Sequence, residues 1–175
     1  MKEIMLTGSG GQGMILAGII LAKAGILDGL NVTQTQSYGP EARGGASRAE
    51  VILDTDSIDF PKVTQADVLL AMTQEAVDKF HGKLRPGGTM IVDPTFVHTV
   101  PAVDGVVHRV DITKLAKEVT GRTVSANIVA LGAMNAACSL VSPEALAEAV
   151  ADSVPKGTEA ANRKALEAGL AAVQA

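Results

Sequence analysis

The chain has 175 residues, 47% of them apolar but only 2% aromatic, so the core of one domain has to be assembled from Ala, Val, Ile, Leu and Met. A formal net charge of −4 supplies no basic stripe for phosphate backbones, and without interleaved aromatics there is no platform for stacked bases, which argues against nucleic acid as a partner. The single cysteine, Cys138, excludes an intrachain disulfide and the usual four-thiolate iron–sulfur cluster, and it points to a reducing cytoplasm.

Met1-Lys2-Glu3 runs directly into the apolar Ile4-Met5-Leu6-Thr7 without a charged leader and cleavage site, so no export signal is read. That run predicts a strand, ended by glycines and followed by a helix from about Gln12 to Asp28. The apolar stretch Met14 to Leu27 is shorter than the ~20 residues of a membrane span and contains Lys23. Gly29 closes the helix, and Val32 to Gln36 alternates β-branched with polar residues as a second strand. A Gly- and Pro-rich loop follows Tyr38, and Arg48 to Asp54 alternates again.

Asp67 to Met72 predicts a strand buried on both faces, and Thr73 is the N-cap of a helix over Gln74–His81. Leu84-Arg85-Pro86-Gly87-Gly88 is read as a turn cluster before a strand over Thr89–Asp93, with another strand over Val106–Val110. Ile112, Leu115, Ala116 and Val119 have helical spacing behind an Asp111 cap, and later helices start near Ser125, Ser142 and Thr158. The alternation predicts one α/β domain over residues 1–175: Rossmann-like, a mostly parallel sheet with helices on both faces and a ligand crevice at the carboxyl ends of its strands.

Gly8-Ser9-Gly10-Gly11-Gln12-Gly13 fits G-x-G-x-x-G between a strand and a helix, where backbone N–H groups and the helix dipole can receive an anion. A tight turn with no ligand would need the same glycines. A dinucleotide enzyme would place a carboxylate about 20 positions on. Thr33-Gln34-Thr35-Gln36-Ser37-Tyr38 offers none, Asp28 precedes the strand, and the first arginine is Arg43, so NAD or NADP is disfavoured. The second loop, Ser37-Tyr38-Gly39-Pro40-Glu41-Ala42-Arg43-Gly44-Gly45, sets a carboxylate and a guanidinium two residues apart. Glu41 and Arg43 could orient a ligand, pair across a subunit interface, or simply stiffen the loop.

With both loops in view, the chain resembles the gamma subunits of the 2-oxoacid:ferredoxin oxidoreductases, most closely those of the 2-oxoglutarate enzymes. The resemblance runs nearly end to end, on Gly8 to Gly13, Val32 to Gly45, Ala126-Asn127-Ile128-Val129-Ala130-Leu131-Gly132, and Asn162 to Gly169. It implies a subunit of a complex that oxidatively decarboxylates a 2-oxoacid with coenzyme A, yielding acyl-CoA, carbon dioxide and electrons for ferredoxin. It also implies that thiamine diphosphate, magnesium and iron–sulfur clusters reside in partner alpha and beta subunits, with a delta subunit a further candidate.

No catalytic residue and no metal ligand is assigned to this chain, which is expected to be inactive alone. Gly8, Gly10, Gly11, Gln12, Gly13, Tyr38, Gly39, Glu41, Arg43, Gly44, Gly45 and Asn127 are its candidate ligand-binding or interface positions. The Gly-Asp-Gly opening of a thiamine diphosphate segment is absent, and His81, His98 and His108 have no ligand-like spacing. A free-standing nucleotide-binding enzyme or sensor is the alternative that the first loop alone would support.

Two segments, Met14 to Leu27 and Asn127 to Val141, are apolar almost all round. Central helices on a sheet would account for them, and so would burial by another subunit. Thr158 to Val173 is amphipathic, and Cys138 is read as an inert thiol in an apolar helix.

Overall fold

The structure is a computed structural model that describes residues 1–38 and 46–173, with only the backbone of Tyr38. Its elements in chain order are β1 (Lys2–Ser9), α1 (Met14–Leu27), β2 (Asn31–Tyr38), β3 (Ala46–Asp54), β4 (Ala66–Ala71), α2 (Gln74–Phe80), β5 (Leu84–Val92), β6 (Gly105–Arg109), α3 (Ile112–Thr120), α4 (Ala126–Cys138), α5 (Pro143–Ser153) and α6 (Glu159–Ala172). The strands form one sheet in the order β2-β3-β1-β4-β5-β6. β1, β4, β5 and β6 are parallel neighbours, while β3 runs antiparallel between β1 and β2. Only β3 opposes the common direction, so β1, β2, β4 and β5 all end at the same edge.

The two faces of the sheet are covered unequally. Ile4, Leu6, Val51, Leu53, Val68, Leu70 and Ile91 meet the larger apolar cluster, which takes in α1, α3, α4, α5 and α6. Met5, Ile52, Leu69, Ala71, Met90 and Val92 face the other way, against α2 and the segments around Val63 and Val97. On the thick side α5 packs on α1, and α6 packs on α4 and α3. At the α4–α6 crossing, a methyl on Gly132 would fall on the Leu166 carbonyl, and one on Gly169 on that of Val129. This backbone approach buries α4 from Ala126 to Asn135 on all sides.

The two all-round apolar helices therefore have different explanations. α4 is an internal helix of the chain. α1 packs on β3, where a methyl on Gly18 would lie 2.7 Å from the Ala49 methyl, yet Leu16, Ile19, Ile26 and Leu27 on its outer side are exposed.

The Thr73 and Ser142 caps form as predicted, their hydroxyls accepting from the N–H of Ala76 and of Ala145, each at 3.2 Å. Three expectations are corrected. Asp111 precedes α3 but makes no side-chain cap; the buried Asp93 at the end of β5 accepts from Thr113 N and Thr113 Oγ1 instead. Leu84 to Gly88 is not a turn before β5 but its irregular first half, where the register with β4 shifts and Gly87 has φ +76°. The helix expected to reach Val141 ends at Cys138, because Asn135 Oδ1 takes the N–H groups of Leu140 and Val141 and Ser139 turns left-handed at φ +48°.

Candidate functional site

The first loop links β1 to α1 at the edge where the parallel strands end, the usual position of a ligand crevice in open α/β sheets. Its four glycines have different surroundings. A Cβ at Gly8 would lie 2.5 Å from Gln12 Oε1 and 3.2 Å from Met72 Cβ. Gly13, at φ +74°, would press one to 2.6 Å from the Asn127 amide nitrogen. At Gly10 and Gly11 a Cβ would meet nothing within 4 Å, and only Gly11, at φ +89°, needs glycine for its backbone. Gly10 is thus a glycine that neither packing nor torsion within the described residues requires.

Gln12 folds back into the loop. Its Oε1 accepts the Ser9 N–H at 2.8 Å, and its own N–H donates to the Ser9 carbonyl at 3.2 Å. One donor that an anion would use is therefore already taken. Asn127, 5% exposed, donates to the Gly13 carbonyl at 3.4 Å and ties the start of α4 to the loop. Asp28 is occupied far from the loop, accepting from the N–H and hydroxyl of Ser142.

Beside the loop is a cleft of about 310 Å³ lined by Gly11, Gln12, Phe96, Thr113, Thr123, Val124 and Ala126. Phe96 and Val124 are 43% and 72% exposed at its rim. Asp93 shapes one wall by holding Thr95 N and Thr113 together at the start of α3. The motif reading found Gly11 and Gln12 but missed Phe96, Thr113, Thr123 and Val124. Phe96 had one usable signal: a rare aromatic three residues beyond an apolar strand.

Gly39, Glu41, Arg43, Gly44 and Gly45 lie outside the described residues, as does the side chain of Tyr38. The strands flanking that loop are described: Tyr38 pairs with Ser47, and Ala46 with Ser9, so the second loop leaves and rejoins the sheet beside the first. The Ser47 hydroxyl donates to the carbonyls of Gly8 and Ser9, each at 3.4 Å, and fixes this junction.

The described lining of the cleft consists of hydroxyls, an amide, backbone and apolar groups, and no carboxylate, imidazole or thiol for proton transfer or attack is among those described residues. Cys138 is in α4, where burial pushes its thiol pKa up, against the activation a nucleophile needs. Among the described residues no three His, Cys, Asp or Glu side chains come together as metal ligands. These donors do not fit an iron–sulfur cluster or a magnesium-bound diphosphate. Nor is any helix among the described residues long and apolar enough to cross a membrane.

Comparison with known proteins agrees with this architecture. The model of the pyruvate ferredoxin/flavodoxin oxidoreductase family matches residues 3–172. The 2-oxoglutarate synthase subunit KorC of Methanocaldococcus jannaschii is 47% identical over 171 residues, covering 96% of this chain and 91% of that one. The crystal structure of the gamma subunit of a keto/oxoacid ferredoxin oxidoreductase from Geobacter sulfurreducens is 46% identical and superposes with a TM-score of 0.89, covering 98% of this chain and 97% of that one. In the 2-oxoglutarate:ferredoxin oxidoreductase of Magnetococcus marinus, solved with 2-oxoglutarate, coenzyme A and succinyl-CoA bound, a region at 26% identity and TM-score 0.87 covers 97% of this chain but 30% of that one. The chain belongs to the pyruvate ferredoxin/flavodoxin oxidoreductase family.

Proposed function

We propose that this chain is the gamma-type subunit of a multi-subunit 2-oxoacid:ferredoxin oxidoreductase whose 2-oxoacid is 2-oxoglutarate. The complex cleaves the bond between the oxo carbon and the carboxylate, releases carbon dioxide, transfers the acyl group to the coenzyme A thiol and passes two electrons to ferredoxin. The observation that carries this reading is the nearly full-length match, in both directions, to a 2-oxoglutarate synthase subunit.

Thiamine diphosphate, magnesium and iron–sulfur clusters belong, on this reading, to alpha and beta partners, with a delta subunit as a further member, all in the cytoplasm. Thiamine supplies the carbanion chemistry and the clusters carry the electrons. This chain contributes the carboxyl edge of its sheet: the open backbone at Gly10 and Gly11, Gln12 and Asn127 holding the loop, and the second loop with Tyr38, Glu41 and Arg43. In the M. marinus enzyme the equivalent region occupies 30% of a longer chain, which supports a role for this fold alongside other domains. A free-standing nucleotide enzyme has weaker support, since Gln12 occupies Ser9 N–H and β2 ends without a carboxylate.

Co-expression with candidate alpha and beta chains tests the reading. The expected outcome is co-purification of all chains in a fixed ratio through size exclusion. A chain that elutes alone while its candidate partners associate without it contradicts the proposal.

A further inference from the structure

The thin face of the sheet carries a second cleft, of about 350 Å³, over β1, β3 and β2. Among the described residues it shares no lining residue with the cleft beside the glycine loop. Three cations converge on it from three parts of the chain: Arg48 from β3, Lys62 from the segment before β4, and Lys83 from the turn after α2. This is a positive site on a chain whose net charge is −4. Ser37 adds a hydroxyl from β2, whereas that of Thr35 already donates to Glu50.

The one carboxylate among the described lining residues, Glu50, is already committed. Its Oε1 pairs with Arg48 Nε at 3.2 Å, and its Oε2 accepts from Val63 N at 3.2 Å and from Thr35 Oγ1 at 3.3 Å. Arg48 is held from a second side, its guanidinium 5.6 Å from the centre of the Phe80 ring. Glu50 thus neutralises and aims Arg48 rather than opposing an anion. Among the described residues Lys62 and Lys83 enter no ion pair, and both are exposed.

We infer that this cleft is a binding site for a compact phosphate-bearing polyanion, of the size of a diphosphate, held by Lys62 and Lys83 and positioned by Arg48 and the Ser37 hydroxyl. A cleft that sets a neutral hydroxyl beside point charges suits phosphate oxygens, which accept several hydrogen bonds at once. The inference rests on this chain's own residues and not on the activity of a complex.

Calorimetry of the full chain with inorganic pyrophosphate tests it. Saturable one-to-one binding is expected, weakened by added salt because both lysines are exposed. Lys62→Gln should raise Kd about fivefold and Lys62→Gln/Lys83→Gln about twentyfold, the effects of losing exposed charge contacts to an anion. Neither exposed lysine supports the fold, so the thermal midpoint should not move. Absence of saturable binding to the parent, or equal binding by the double variant, would overturn the inference. So would a double variant that still binds pyrophosphate but detaches from its partner subunits, which would assign the face to a protein.

Discussion

The two edges of the sheet are built in opposite ways. Where the parallel strands begin, charges are answered within the chain: Arg85 pairs with Asp67 at 2.6 Å, Asp67 accepts the Glu3 N–H at 2.7 Å, and Glu3 accepts the N–H groups of Thr64 and Gln65. Where they end, no described residue lies within reach of a Cβ at Gly10 or Gly11, and Phe96 and Val124 are exposed beside a cleft whose described lining is uncharged. One edge holds β1, β4 and β5 together; the other leaves space at Gly10 and Gly11 that no described residue fills. On the proposed reading, the difference separates residues needed to fold from residues that meet partner subunits.

The largest effect is expected at the closed edge. Arg85→Ala leaves Asp67, with 14% of its side chain exposed, without its cation. A broken buried pair costs about 3–5 kcal/mol, but Arg85 is itself 37% exposed, so we expect about 2 kcal/mol in chemical denaturation. A loss below about 0.5 kcal/mol, the scale of ordinary surface changes, would make that edge no different from a solvated surface.

At the open edge the glycine loop contains its own contrast. Gly13→Ala combines a left-handed φ of +74° with a clash against Asn127, and should cost about 1–2 kcal/mol. Adding Asn127→Ala should return part of it, and strict additivity in that double-mutant cycle would deny the contact. Gly10→Ala should change stability by less than about 0.5 kcal/mol yet weaken association with partner subunits. A destabilisation matching that of Gly13→Ala would make Gly10 an internal packing position and remove the argument for an outside contact.

Much of this was legible in the sequence because the signals are local. The strand–glycine–helix opening, the Thr73 and Ser142 caps and the burial of β4 follow from spacing and side-chain chemistry alone. Strand direction is not a local property. The alternation of Arg48 to Asp54 identified β3 but not that it runs antiparallel, although the short link from Tyr38 to Ala46 leaves no room for the dozen or more residues of a parallel crossover. The cap on α3 was misassigned for a similar reason: Asp93 lies 20 positions before Thr113 and reaches it only through the sheet.

The site divides the same way. The glycine motif located the loop, but Gly8 and Gly13 are explained by packing while Gly10 is not, a distinction invisible without neighbours. The knot of Glu3, Asp67 and Arg85 had no motif to announce it, since its members are scattered over three strands. Likewise α1 and α4 look alike as apolar segments, and only the α4–α6 contact shows which is buried on all sides over most of its length.

On the proposed reading this chain is necessary to an oxidoreductase that it cannot constitute alone. Reduction of a viologen dye by 2-oxoglutarate and coenzyme A, measured while the chain is titrated into its candidate alpha and beta partners, tests it most directly. We predict no reduction by the chain alone and a rate that rises to saturation at a fixed stoichiometry. Full activity of the partners without it, or turnover by the isolated chain, would contradict the account.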